Sequence, residues 1–257
     1  MQYNSYSDLK RFFNFKNYYY YFPLRVLSLF FYRYKKIYIQ KKFAKKKNYD
    51  YNFYDKIYPP KLIIISKFHV NKKILDFINT YQKKHKIPKN LNYHKNIYQS
   101  EHNLHLNKKI KFFVQKITKI LNHYKILHIF NVKLSKILIS KLWFVITRTQ
   151  GYMHPHAHLD GELSGVFYLQ AFRSKDSGTL NIFNQFGEIE IFKFSHSNLN
   201  NITHPKKITF KKKLLIFKPK KSDLVIFSSY LLHAVDNSKN IYKDRISVPF
   251  DCILKKI

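Results

Sequence analysis

The chain has 257 residues and 45% of them are hydrophobic, enough for one large domain or for one domain with an extension. It carries 48 Lys and Arg against 14 Asp and Glu, a formal net charge of +34. One cysteine, Cys252, excludes an internal disulfide framework and a cysteine zinc site, and makes a reducing cytoplasm the expected compartment.

Residues 1–55 read as a basic Tyr- and Lys-rich extension, with Tyr18-Tyr19-Tyr20-Tyr21 and Lys45-Lys46-Lys47 inside it. No apolar run there reaches the roughly 18–20 residues that span a bilayer. The nearest, Phe22 to Tyr34, is interrupted or flanked by Pro23, Arg25 and Arg33. No small-x-small cleavage site follows it, so no signal peptide is expected. A basic aromatic segment of this kind suits nucleic acid or an anionic surface, by stacking and phosphate contacts. The competing source is base composition: Lys, Asn, Ile, Phe and Tyr all have AT-rich codons, and Gly numbers only 5.

The remaining chain, 56–257, predicts one domain. Pro59-Pro60 marks a turn before Leu62-Ile63-Ile64-Ile65, a β-branched run that reads as a first strand. Asn71 is placed to cap a helix running to about Lys86, with Ile74, Ile78 and Tyr81 on one face. Leu106, Ile110, Phe113, Val114, Ile117, Ile120, Leu121 and Tyr124 recur at three and four, the stripe of an amphipathic helix. These two make a helical cap over 70–125. From about 137 to 255 short apolar or alternating runs dominate: 142–148, 164–170, 179–183, 187–194, 214–217, 223–228 and 245–250. The fold class expected is mainly β with N-terminal helices, around a double-stranded β-helix (jelly roll, cupin-like) core.

Chemistry concentrates in His154-Pro155-His156-Ala157-His158-Leu159-Asp160. Strand side chains repeat every two residues, so neighbouring even positions can face one ion. Burying several histidines and an aspartate together costs several kcal/mol unless something pairs with them, and a metal does so. A third ligand must come from elsewhere, and His233, after the buried run Leu224-Val225-Ile226-Phe227, is placed to supply it. Two ligands close in sequence, one far and open positions left over is the pattern of the facial triad of non-haem Fe(II) oxygenases. The bland alternative is an exposed His-rich hairpin edge. Arg245 alternates with Ser247 on the last strand; the pair can hold a carboxylate, or Arg245 can be a surface cation paired with Asp244 or Asp223. The remaining histidines read as structural or surface groups, and Cys252 as a small buried residue.

Taken in order, the stretch Trp143 to Gln170 (with Gly151-Tyr152, Pro155-His156-Ala157-His158 and Leu163 to Leu169 inside it), Ser222 to Val235 and Arg245 to Asp251 resemble a group of 2-oxoglutarate/Fe(II)-dependent oxygenases. The resemblance covers about 140–252, and 57–139 more loosely. Leu159 stands where that group usually has Pro, and Glu162 where it has an aromatic or apolar residue, which bears on substrate more than on chemistry. The resemblance implies a dioxygenase (hydroxylase) that releases succinate and CO2. It implies Fe(II) on His156, His158 and His233 and 2-oxoglutarate on Arg245 and Ser247, with Tyr168 lining the cosubstrate pocket and ascorbate in support. His158, Asp160 and His233 form the alternative ligand set. Substrates left open are a protein side chain, a small metabolite or a nucleobase. The readings from other classes are a cupin-like metal enzyme without 2-oxoglutarate, and a nucleic-acid or anionic-surface binding protein with such a metal site.

Overall fold

The computed structural model describes residues 59–85, 96–133, 135–158, 161–171, 178–199, 207–237 and 244–256. The expected extension over 1–55 lies outside the described residues, and so does Asp160. Everything described falls within one compact unit, Asp55–Ile257.

The first strand, β1 (Lys61–Ser66), precedes helix α1 (Lys73–Lys84). Asn71 starts α1 as its side chain predicts, its Oδ1 accepting from the Lys73 N–H at 2.9 Å. Strand β2 (Ile97–Gln99) and helices α2 (Lys111–Leu121) and α3 (Tyr124–Ile129) follow. The stripe expected from Leu106 to Tyr124 is thus shorter than its pattern. Leu106 is 74% exposed and Tyr124 64%, because two short 3-10 turns precede α2 and Asn122 ends it. Asn122 serves as a substitute strand neighbour: its amide accepts from the Ile137 N–H at 2.9 Å and donates to the Ile137 carbonyl at 2.8 Å. That ties the helical part to β3 (Ser135–Leu142).

The rest is β: β4 (Val145–Thr147), β5 (Met153–His156), β6 (Leu163–Gln170), β7 (Leu180–Phe183), β8 (Ile189–Ser195), β9 (Lys207–Phe210), β10 (Leu214–Phe217), β11 (Leu224–Ser228), β12 (His233–Val235) and β13 (Arg245–Lys256). They form two sheets. The larger runs β2-β4-β13-β6-β11-β1-β8-β9, with β3 also on β13, and the smaller runs β10-β7-β12-β5. All pairs are antiparallel except β1 with β8, where Leu62 sits opposite Ile191. The first described strand is therefore interior to the larger sheet, between β11 and β8. Two sheets packed face to face make the expected double-stranded β-helix.

Alternation sorts the side chains between the two faces of the larger sheet. Leu62, Tyr168, Val225 and Phe227 turn toward Leu180 and Ile182 of the smaller sheet. Phe167, one step from Tyr168, turns the other way. There Phe68 meets it edge-on at 5.6 Å and Phe113 of α2 lies 5.5 Å away. Each such buried aromatic contributes about 1.5–3 kcal/mol by leaving water.

Gly165 of β6 is required by close packing. A Cβ there would lie 2.2 Å from the ring of Phe250, which is fully buried. Gly165→Ala should therefore lower stability by about 1–3 kcal/mol in urea denaturation, with Phe250→Leu in the same chain recovering part of the loss. Additive effects of the two substitutions would show that the ring and the glycine are not in conflict.

Candidate metal and carboxylate site

In the smaller sheet β12 lies between β7 and β5, and its register puts His233 directly opposite His156. β5 is the edge strand, where Pro155, with no N–H to donate, is tolerated. The strand stops at His156. The chain then bends past the end of β11, and the His158 N–H donates to the Ser229 carbonyl at 2.9 Å. So His156 and His158 do not stand on one continuous strand, and a loop sets their separation. Their ring centres are 5.2 Å apart, with His233 4.4 Å from His156 and 5.1 Å from His158. One ring nitrogen from each of the three lies within 4.8 Å of the others. His154 turns instead to Tyr152, edge-on at 5.0 Å.

The hydrogen bonds behind the rings fix their chemistry. His156 Nδ1 lies 2.7 Å from the His154 carbonyl and His233 Nδ1 2.9 Å from the Leu231 carbonyl. A carbonyl oxygen only accepts, so each Nδ1 bears the proton and each lone pair sits on Nε2. His158 Nδ1 is 2.7 Å from Asp251 Oδ1, which orients its ring in the same sense. Three nitrogen donors on one side of a cavity suit Fe, Zn, Cu or Ni and leave other coordination positions open. His233 is buried, and burial first, then the neighbouring His156 and His158, holds its pKa well below the ordinary value. Its imidazole is thus kept neutral, the form that ligates.

Strand β13 supplies a different group to the same cavity. Arg245, Ser247, Pro249 and Asp251 alternate on one face, while Ile246, Val248 and Phe250 are buried on the other. Arg245 is 2% exposed. Its carbon Cζ lies 5.0 Å over the Tyr168 ring, and Nη1 makes one long bond of 3.4 Å to the Gly178 carbonyl. Gly178 has φ +71°, and a Cβ there would stand 3.2 Å from Nη1, so a glycine suits this approach. Arg245 Nε and the Tyr168 hydroxyl are both buried without a hydrogen-bond partner. Burial pushes Tyr168 up to about 12, against the opposing pull of Arg245, so the hydroxyl stays protonated and can donate. Neither suggested acidic partner holds Arg245. Asp244 faces Arg148 at 3.9 Å, and Asp223 accepts from the Lys220 N–H at 2.8 Å. A buried guanidinium, a buried phenol and Ser247 beside them fit an incoming carboxylate.

These groups line one cavity of about 530 Å³ including its open mouth, with Trp143, Val145, Met153, Leu180, Phe227 and Val235 among its walls. Sequence reasoning missed Asp251, Ser164 and Trp143. Ser164 donates to Asp251 Oδ1 at 2.8 Å, and Trp143 stacks on His158 at 5.6 Å with an interplanar angle of 17°. Asp251 was detectable, since it is in phase with Arg245 and Ser247 at steps of two.

The depressed pKa of His233 has a sign. The unfolded chain takes up a proton near pH 6.5 while the folded state resists it. Stability from neutral His233 is therefore complete above about pH 6.5 and is lost as the pH falls toward the folded pKa. His102, His105 and His196 shift the same way, burial being the first cause for each. The urea midpoint of metal-free protein should fall as the pH is lowered from about 7.5 to 5.5, and more shallowly in His233→Asn. Equal slopes in the two proteins would contradict a neutral, buried His233.

Among known proteins, residues 141–251 match the family model described as "Putative 2OG-Fe(II) oxygenase". No curated protein matches the chain. Of solved structures, a prolyl-4-hydroxylase from Pseudomonas putida aligns at 12% identity over 78% of this chain and 97% of its own, with a TM-score of 0.50. A prolyl hydroxylase from Trichoplax adhaerens, solved with a hypoxia inducible factor peptide fragment, aligns at 14% identity over 78% and 87%, TM-score 0.49. HygX from Streptomyces hygroscopicus, solved with nickel, 2-oxoglutarate and hygromycin B, aligns at 7% over 79% and 87%, TM-score 0.48. The Pseudomonas structure shares the double-stranded β-helix fold. Residues 141–251 are thus similar in sequence to the 2OG-Fe(II) oxygenase family, and the described residues share the fold of the Pseudomonas structure.

Proposed function

We propose that this protein is a non-haem Fe(II)- and 2-oxoglutarate-dependent dioxygenase that hydroxylates its substrate. One observation carries the reading: a buried guanidinium with no carboxylate partner among the described residues opens onto the same cavity as three converging imidazoles. Iron and 2-oxoglutarate, when bound, would let O2 oxidise a C–H bond, one oxygen atom entering the substrate as a hydroxyl and the other entering succinate, with release of CO2. His156, His158 and His233 hold the metal through Nε2. Arg245 takes the far carboxylate of 2-oxoglutarate in a charge-assisted pair, with Ser247 and the Tyr168 hydroxyl adding donors. Apart from Arg245 and the histidines the described lining is mostly apolar, and no carboxylate belongs to it. Such walls exclude water and suit an uncharged, C–H-bearing group.

Purified protein given Fe(II), ascorbate and 2-oxoglutarate should release succinate slowly without its true substrate. Anaerobic titration should produce the weak visible band of the metal chelate. Arg245→Ala should spare the metal and weaken 2-oxoglutarate about 10- to 150-fold, the loss of roughly 1.5–3 kcal/mol. Folded, iron-loaded protein with neither succinate nor the band would overturn the reading.

A separate comparison identifies the ligands. His158→Ala and His233→Ala should abolish iron binding under either ligand set. His156→Ala should abolish it too, and Asp160→Ala should not. The reverse result for this last pair would replace His156 by Asp160.

A further inference from the structure

We propose that Asp251 is a positioning residue of the metal centre, holding His158 in register and supplying from behind it the negative charge that three neutral imidazoles lack. The proposal rests on the ligand set given above.

Asp251 is 4% exposed and both of its side-chain contacts are donors: His158 Nδ1 at 2.7 Å and the Ser164 hydroxyl at 2.8 Å, both on Oδ1. The sheet does not need this carboxylate. Ser164 and Asp251 already face one another across β6 and β13, and their neighbours Gly165 and Phe250, Val166 and Pro249 continue the pairing without polar side chains. The ring does need it. His158 follows the end of β5, so no strand on its own side sets its rotation. Its contacts set it instead: the backbone bond to Ser229, the Trp143 and His233 rings stacked against it and the Asp251 carboxylate at Nδ1. The carbonyls behind His156 and His233 are neutral acceptors. Among the described residues, Asp251 is a carboxylate hydrogen-bonded directly to a ring of the ligand set. A divalent cation among three neutral rings keeps its full charge in a poorly solvated cavity. A carboxylate one imidazole away offsets part of it.

The test uses the full chain and two probes, Co(II) and anaerobic Fe(II). Asp251→Ala should weaken Co(II) binding about 10- to 100-fold and alter its visible bands. Asp251→Asn keeps an acceptor for His158 and removes the charge. It should bind Co(II) more tightly than Asp251→Ala yet less tightly than wild type, and should raise the Fe(III)/Fe(II) potential, because Fe(III) loses more from a missing anion. Ser164→Ala should cost less affinity than Asp251→Ala. If Asp251→Ala does not fold, Asp251→Asn decides. Wild-type affinity, bands and potential in Asp251→Asn would overturn the proposal, whatever happened to the urea midpoint. Failure of wild type itself to bind either ion would overturn the metal centre, and this proposal with it.

Discussion

The strict two-residue period of β13 is the constraint on which the rest depends. This 12-residue strand pairs with β3, β4 and β6, so its rotation is fixed along its whole length. Once Ile246, Val248 and Phe250 are committed to the apolar side, Arg245, Ser247 and Pro249 face the cavity and Asp251 stands on the same side, behind His158. A guanidinium on the cavity wall and a carboxylate behind one of its imidazoles, six residues apart (251 − 245), are thus delivered to the same side by hydrophobic burial of the residues between them. A slip of one residue would put both into the apolar layer and is ruled out by the cost of burying them there unpaired.

The cavity then combines two groups of opposite kind. The imidazole cluster offers lone pairs, which suit a cation, and the Arg245 end offers a cation and donors, which suit an anion. Under the proposed function a chelating dianion on a metal ion would meet both, which is why the two groups are more informative together than either is alone.

Much of this was legible in the sequence. Alternation and turn residues pointed to the β core, and the histidine spacing with Arg245 and Ser247 named groups that the structure brings to one cavity. Less legible was whatever depends on where a strand ends. His158 is reached by a bend after β5, so even spacing suggested one continuous strand where a loop does the placing. The helical stripe overran its ends at Leu106 and Tyr124 because periodicity carries no information on the exposure of its last members. Asp251 stood in phase with Arg245 and Ser247 on the last described strand, but its role became visible only with its partner His158, 93 residues back (251 − 158), placed beside it.

The placement of β1 has a consequence for how the chain is made. Leu62 lies opposite Ile191 on one side and Phe227 on the other, so this strand precedes its partners by 129 and 165 residues (191 − 62 and 227 − 62). At roughly 5–20 residues per second, the ribosome delivers β11 about 8–33 s after β1. For that interval Leu62-Ile63-Ile64-Ile65 is an apolar strand with both edges unpaired, the kind of segment that pairs with the wrong chain. Closure of the larger sheet must wait for it, since β11 and β8 are joined only through β1. Folding of this β-rich domain is therefore weighted toward long-range pairing, and the larger sheet closes around β1 only once β11 is available.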